Sequence, residues 1–515
     1  MQQVLKRLWG KIARPEHTSN SIRYWPGHWQ KLSLVIWLIA IALLPFSDLE
    51  IISYDPWTEL HRMLQGLLAP DFTATEYLFA AILQTVNFAV LGVAFGLVLG
   101  APLALIYTHP VISTLCSLTR AVHELFWALL FLQVFGLSPL TGILALTLPF
   151  GATFARVFSD ILRQSSDAPL TSTPRNSDRC SRYLYAKIAL VMPQLLSYVR
   201  YRFECALRSS AVLGFIGMPT IGFYLETAFR QGNYHEGMAL LMLFIAMIGG
   251  IRYWCRPRLI PVYLGLAFFT LAEIPSLDAG LIVRFLTQDV VPPAIAAASS
   301  LLAVDLGSLG AWFSEIVVEQ AIPGAQVTIV LAMLALALTH LLALTGHGIA
   351  SRQLLPKPFA YLGQFVLLIG RSVPEYVMAY AFLILLGPSM LPAILALAIH
   401  NGAVVAYLAV RQSDKLAASQ VNFGRCNQFH YRVLPSVYPN LMALLFYRFE
   451  IIVRETAVFG MLGIMALGFY IDSNFAEIRY SDAIVLIGIT ACFNVVIDKV
   501  SRRYLSSSNQ AQHCG

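Results

Sequence analysis

Apolar runs separated by short polar stretches recur along the whole chain. They lie at about 32–47, 78–107, 122–136, 139–162, 194–217 and 238–255, then again at about 259–273, 325–346, 373–387, 390–410, 436–464 and 481–498. A hydrocarbon core about 30 Å thick asks roughly 20 apolar residues of a helix, and several of these runs are of that order. The pattern predicts an all-α polytopic membrane protein with about 12 transmembrane helices. Gly92, Gly96 and Gly100 recur every four residues in the second run and predict a small-residue face for close helix packing.

The polar stretches differ in charge from one side to the other. Lys6, Arg7, Lys11, Arg14, Arg23 and Lys31 precede the first run, and the stretches 163–192 and 411–434 are also basic. The stretches 48–77 and 274–324 are mainly acidic, and 217–237 is rich in glycine and proline. An excess of Lys and Arg marks cytoplasmic loops, so both termini are expected in the cytoplasm. The polar start is too long for a cleaved signal peptide, and the first run is expected to be a retained helix.

Composition works mainly by exclusion. Hydrophobic residues make up 57% and charged residues 12%, against about 25% charged in soluble domains. The net charge of +7 sits in the short loops, where it sets orientation and gives no reason to expect nucleic acid. Seven cysteines show no metal-ligand spacing, and none falls in an expected outer loop. Neither a disulfide framework nor a zinc site is expected.

The chain also repeats itself. Residues 201–229 and 447–475 match at 13 of 29 positions with an offset of 246, and 120–151 aligns without a gap to 371–402 at an offset of 251. Such self-similarity predicts a duplicated unit. The expected division is a cytoplasmic segment 1–31, a first repeat 32–257, a second repeat 258–504 and a cytoplasmic tail 505–515. Six spans per repeat is an even number, so both halves enter the membrane in the same sense, as parallel repeats.

No Walker A loop, HExxH, GxSxG or Cys/His cluster is present, and nothing argues for covalent catalysis or a bound cofactor. The informative residues are charges inside the fifth and eleventh spans: Arg202, Glu204 and Arg208, then Arg448, Glu450 and Arg454. Glu204/Arg208 and Glu450/Arg454 are spaced i,i+4 and are expected to meet on one helix face. A charge near the bilayer centre costs about 2.5–3.5 kcal/mol on insertion scales and usually faces a bundle interior or a wet cavity. Two readings stay open: ion pairs that only orient helices, or positive charge lining an anion path. Glu124 and Glu375, near Arg120 and Arg371, are expected to complement the dipoles of the helices they open. Gly214, Gly217 and Gly222, with Gly460, Gly463 and Gly468, predict close approach or a gating break at the outer ends of the same spans.

Together the motifs Arg371-Ser372-Val373-Pro374-Glu375, Leu395-Ala396-Leu397 and Tyr447-Arg448-Phe449-Glu450 with Arg454, and the series ending Gly468-Phe469, carry a resemblance. The chain resembles the permease subunits of binding-protein-dependent ABC importers, in particular the phosphonate permeases, as a tandem fusion covering roughly 75–255 and 325–500. The resemblance implies a non-catalytic subunit in a bacterial inner membrane that moves phosphonate or a related oxyanion. Its implied partners are two ATPase domains that use the ATP, a periplasmic substrate-binding protein and membrane lipid. It also implies an ATPase-docking loop, onto which Ala417, Ala418, Leu434 and Pro435 fit. Leu416 and Asn422 stand where the family pattern has Glu and Gly, and the corresponding loop of the first half lacks the alanine pair. The alternatives are a fused permease for another solute such as thiamine or ferric iron, a secondary transporter with parallel six-helix halves, and a membrane scaffold without transport activity. The fold alone does not choose among them.

Overall fold

The apolar runs fold as helices. The computed structural model describes residues 27–53, 55–171, 178–271, 279–298, 305–416 and 424–511, and among these there is no strand. In chain order the main helices are α1 His28–Leu43, α2 Pro56–Leu68, α3 Leu78–Leu105, α4 Pro110–Ala121, α5 Glu124–Phe135 and α6 Pro139–Gln164. Then come α7 Ala189–Val212, α8 Ile221–Arg230, α9 Tyr234–Gly249, α10 Ile260–Thr270, α11 Leu306–Glu315 and α12 Ile322–Ala350. The last are α13 Lys357–Ser372, α14 Glu375–Leu386, α15 Met390–Ser413, α16 Leu434–Phe459, α17 Leu467–Ala476 and α18 Tyr480–Ala511.

Six of the described helical runs are long and apolar enough to cross a membrane: Trp29–Phe46, Leu78–Leu105, Pro139–Gln164, Leu306–Ala350, Met390–Ser413 and Tyr480–Ser501. Four bent pairs bring the number to as many as ten. The chain is a multi-pass helical membrane protein.

The expected third and ninth spans, about 122–136 and 373–387, are helices α5 and α14. Each is preceded by a helix that the apolar runs do not show, so that α4 meets α5 in an elbow of 91° and α13 meets α14 in one of 92°. Helices α4 and α13 are amphipathic, with Ser, Thr, Lys and Gln among their apolar residues, so their composition hides them from a search for apolar runs. The stretch 274–324 also holds helix α11, which continues through a π-helical turn, Ile316–Ala321, into α12.

The core is built on two long helix pairs, α3 with α6 and α12 with α15. The glycine face of α3 does what its spacing predicts. A Cβ on Gly92, Gly96 or Gly100 would press on Leu146, Phe150 or Phe154 of α6. Lipid tails are as apolar as Leu, so such close packing, and not expulsion of water, holds helices together here.

The short first helices cross over. α1 packs on α12, with Trp37 Nε1 donating to His340 Nδ1 at 3.2 Å. α10 packs on α3, where Asn87 Nδ2 donates to Thr270 Oγ1 at 2.6 Å. The segment after α1 straps the same two groups of helices. Ile52 N donates to Leu386 O at 2.9 Å and Met390 N to Asp48 O at 3.0 Å, while Tyr234 OH donates to Glu59 of α2 at 2.5 Å.

Candidate functional site

Helices α7 and α16 face each other across the middle of the bundle, and the two elbows close the space between them. The result is a cavity of 420 Å³ lined by α4, α5, α6, α7, α14, α15, α16 and α18. Its polar wall includes Arg120, Glu124, Arg156, Asp160, Arg202, Arg208, Glu375, His400, Arg448, Glu450, Arg454, Glu455 and Asp498. The elbows explain how charges reach this depth. Because α5 and α14 start inside the protein, Glu124 and Glu375 stand in their first turns, suited to the dipoles, and still line the cavity.

The expected i,i+4 pairs do not form. Glu450 pairs with Arg120 at 3.2 Å, and Glu204 with Arg371 at 3.8 Å. Arg120 and Arg371 are aligned positions of the repeat, as are Glu204 and Glu450. The i,i+4 face of each helix looks onto the opposite elbow, where an arginine is already held. One guanidinium there serves two carboxylates, since Arg120 also reaches Asp498 at 2.8 Å. Arg156 reaches the same Asp498 at 3.3 Å and Asp160 at 3.9 Å.

These pairings leave the four remaining arginines without a carboxylate. Among the described residues, no Asp or Glu oxygen lies within 4.0 Å of Arg202, Arg208, Arg448 or Arg454. Arg202 lies over the Phe150 ring at 4.5 Å, a cation–π contact. Arg208 Nη1 meets His400 Nε2 at 3.0 Å, Arg448 Nη1 donates to Asn401 Oδ1 at 3.4 Å, and Arg454 Nη1 donates to the Arg120 carbonyl at 3.2 Å. The Nε atoms of Arg202, Arg208 and Arg454 are buried without a hydrogen-bond partner. Three carboxylates in the cavity lack an arginine: Glu124, 3.6 Å from His123; Glu375, 3.6 Å from His400; and Glu455, which accepts from Asn401 Nδ2 at 3.3 Å. The lining carries six arginines and six carboxylates, so it is the unpaired donors, and not an excess of charge, that suit an anion with several acceptor oxygens.

The two glycine series lie where α7 turns into α8 and α16 into α17, at bends of 52° and 44°. Gly217 and Gly463 have φ of +94° and +87°, a conformation that an L-residue adopts at a cost. A Cβ on Gly222 would overlap the Ala211 carbonyl, and one on Gly468 the Ala457 carbonyl; a Cβ on Gly214 or Gly460 would meet the backbone N of Phe223 or Phe469. Each bend is fastened by one buried threonine. Thr85 accepts from Ile221 N at 2.9 Å, and Thr328 from Leu467 N at 3.2 Å. Of the expected docking residues, Ala417, Ala418 and Asn422 lie outside the described residues. Leu434 and Pro435 open α16 directly after a π-helical turn, Phe429–Val433.

The sequence reading missed Arg156, Asp160, Asp498, His400 and Asn401. All of them sit within apolar runs, and Arg156/Asp160 have i,i+4 spacing inside the fourth, so a search for every charge in a span would have found them.

The chain is similar to the phosphate-import permease protein PhnE of Mycolicibacterium smegmatis, 24% identical over 474 residues, which cover 85% of this chain and 87% of the relative. It is also similar to the phosphite transport system permease protein PtxC of Stutzerimonas stutzeri, 26% identical over 238 residues, 43% of this chain and 86% of the relative. The resemblance carried by the motifs is thus to proteins named as phosphate, phosphite and phosphonate permeases, which are non-catalytic membrane subunits. No family model matches the chain. No solved structure matches it either.

Proposed function

We propose that the chain is the permease of an ABC importer, moving phosphonate, phosphite or phosphate across a bacterial inner membrane by alternating access. Two partner ATPase domains supply the energy, and a periplasmic binding protein delivers the substrate. The observation that carries the substrate class is the cavity, where Arg202 and Arg208 of α7 and Arg448 and Arg454 of α16 have no carboxylate within 4.0 Å.

The reading divides the chain into two fused six-helix units in parallel, twelve crossings in all, with both termini cytoplasmic. It is supported by the match to PtxC, which takes up most of that relative and less than half of this chain. The six long runs, four bent pairs and shorter helices α9 and α10 amount to twelve if each crosses. The paired bends at Gly217 and Gly463 and the paired threonines at 85 and 328 further support the duplication. The cavity lies toward the inner ends of α6 and α18, at Asp160 and Ser501, which suits a state open to the cytoplasm.

The test of class is co-purification from detergent. A stoichiometric nucleotide-binding partner is expected, with ATPase activity stimulated by a binding protein loaded with phosphonate. One observation favours a second reading. His340 and His400 are buried in mid-span, as a secondary transporter would use them. A chain that purifies alone and moves solute on a proton or sodium gradient would establish that reading instead.

For the path itself, Arg448→Gln and Arg454→Gln are each expected to lower uptake roughly tenfold at limiting substrate, since a charge-assisted hydrogen bond contributes about 1.5–3 kcal/mol. Membrane levels of the protein should hold. Unchanged uptake would reduce both arginines to structural roles.

A further inference from the structure

Arg208 and Arg454 are aligned positions of the repeat, and each is tied to the elbow of the opposite half. Arg454 reaches the first elbow directly, donating to the Arg120 carbonyl at 3.2 Å. Arg208 reaches the second elbow through another side chain. Its Nη1 meets His400 Nε2 at 3.0 Å, and His400 Nδ1 lies 3.0 Å from the carbonyl of Val373, between α13 and α14. The first half has Pro149 where the second has His400, so this bridge has no counterpart across the cavity.

The neighbours fix the state of the ring. A guanidinium has no acceptor, so Nε2 must offer a lone pair, and a carbonyl has no proton, so Nδ1 must carry the hydrogen. His400 is therefore neutral, 1% exposed, with its N–H turned to the elbow and its acceptor turned to Arg208. Glu375 Oε2 stands 3.6 Å from the same Nδ1 and reinforces that tautomer. Arg208 itself lines the cavity, where its Nη2 donates to Cys205 Sγ at 3.8 Å and its Nε is buried without a partner. A long side chain loses rotamer freedom when a ligand fixes it, and a support that fixes it beforehand removes that cost from binding. We propose that His400 is a positioning residue, which holds the Arg208 guanidinium in the cavity before the anion arrives. The assignment rests on the anion-path reading above, and it leaves His400 no proton on its Arg208 side to relay.

Two amides copy the two ends of the imidazole. A Gln side chain reaches as far as Nε2 and can accept from Arg208. An Asn side chain reaches only as far as Nδ1 and can donate to the Val373 carbonyl. Binding of labelled inorganic phosphate to the purified full-length chain is measured by equilibrium dialysis, for each variant with Arg208 and with Arg208→Gln.

Against wild type, His400→Asn is expected to weaken phosphate binding about tenfold, and His400→Gln by less than about threefold. With Arg208→Gln in place, both changes are expected to shift binding by less than about twofold, because the bond they act through is gone. A merely structural histidine gives another order. Asn, which keeps the tie to the elbow, would then be the milder change, and the loss would persist without Arg208. Either of those results overturns the assignment, as does an equal loss from both amides or His400→Asn equal to wild type. If His400→Asn does not fold, His400→Phe, which keeps a ring and offers no acceptor, replaces it with the same expectation. Failure of the underlying reading looks different, since phosphate would then bind no version of the chain, and the assignment falls with it.

Discussion

Replacing Arg120 by Gln should destabilise the chain by about 3–5 kcal/mol, the cost of leaving a buried carboxylate without its partner. Arg120 joins Glu450 of α16 and Asp498 of α18 to the first elbow, with side-chain exposures of 13%, 20% and 12%. Asp498 keeps Arg156 at 3.3 Å, so Glu450 is the carboxylate left without an arginine. Adding Glu450→Gln should therefore restore much of the loss. A double-mutant cycle on thermal unfolding in detergent should give a coupling of about 0.5–3 kcal/mol.

The aligned pair tests whether geometry or position matters. Arg371 and Glu204 are 3.8 Å apart and 27% and 26% exposed, so Arg371→Gln should cost about 1 kcal/mol or less. Equal losses for Arg120→Gln and Arg371→Gln, with no rescue by Glu450→Gln, would mean that the crossing ion pair is not what holds the elbow to α16.

Gly468→Ala should be the other severe substitution. The new Cβ would overlap the Ala457 carbonyl, and both atoms are held by backbone, so no side chain can move aside. Overpacking of this kind costs about 1–3 kcal/mol and occasionally more, and this contact belongs at the upper end. Folded protein recovered by size-exclusion chromatography should fall sharply, and Gly222→Ala should behave alike because it meets Ala211 in the same way. Gly463→Ala supplies the contrast. Its φ is +87°, but a Cβ there meets nothing within 4 Å, which leaves only the left-handed penalty of about 1–2 kcal/mol. If Gly463→Ala and Gly468→Ala lose equal amounts of folded protein, strain in the bend and not close approach governs this region.

Much of this arrangement was legible in the residues. The order of the spans follows from apolar runs, and the role of Gly92, Gly96 and Gly100 from their spacing on one face. The glycine series marked both bends, and YRFE with its arginines marked the helices that line the cavity. Each is a local property, readable from a window of a few turns. The elbow helices escaped because α4 and α13 mix polar with apolar residues, as a helix not fully surrounded by lipid does. His400 and Asn401 escaped because single polar residues in apolar runs leave the hydropathy average almost unchanged.

By itself the sequence determined that the apolar runs are helical and that charges are placed inside apolar helices at matched positions, and at the two glycine series it offered either close approach or a break. It did not determine which charges meet. Spacing along α16 offered Arg454 to Glu450, but the partner that Glu450 finds is Arg120, 330 residues away in the chain. Crossing of α1 onto α12 and α10 onto α3 is of the same kind. A helix encodes its own faces through a period of 3.6 residues, while the identity of the facing helix depends on how all of them pack at once. In a low-dielectric interior that choice decides which guanidiniums have a carboxylate beside them and which do not.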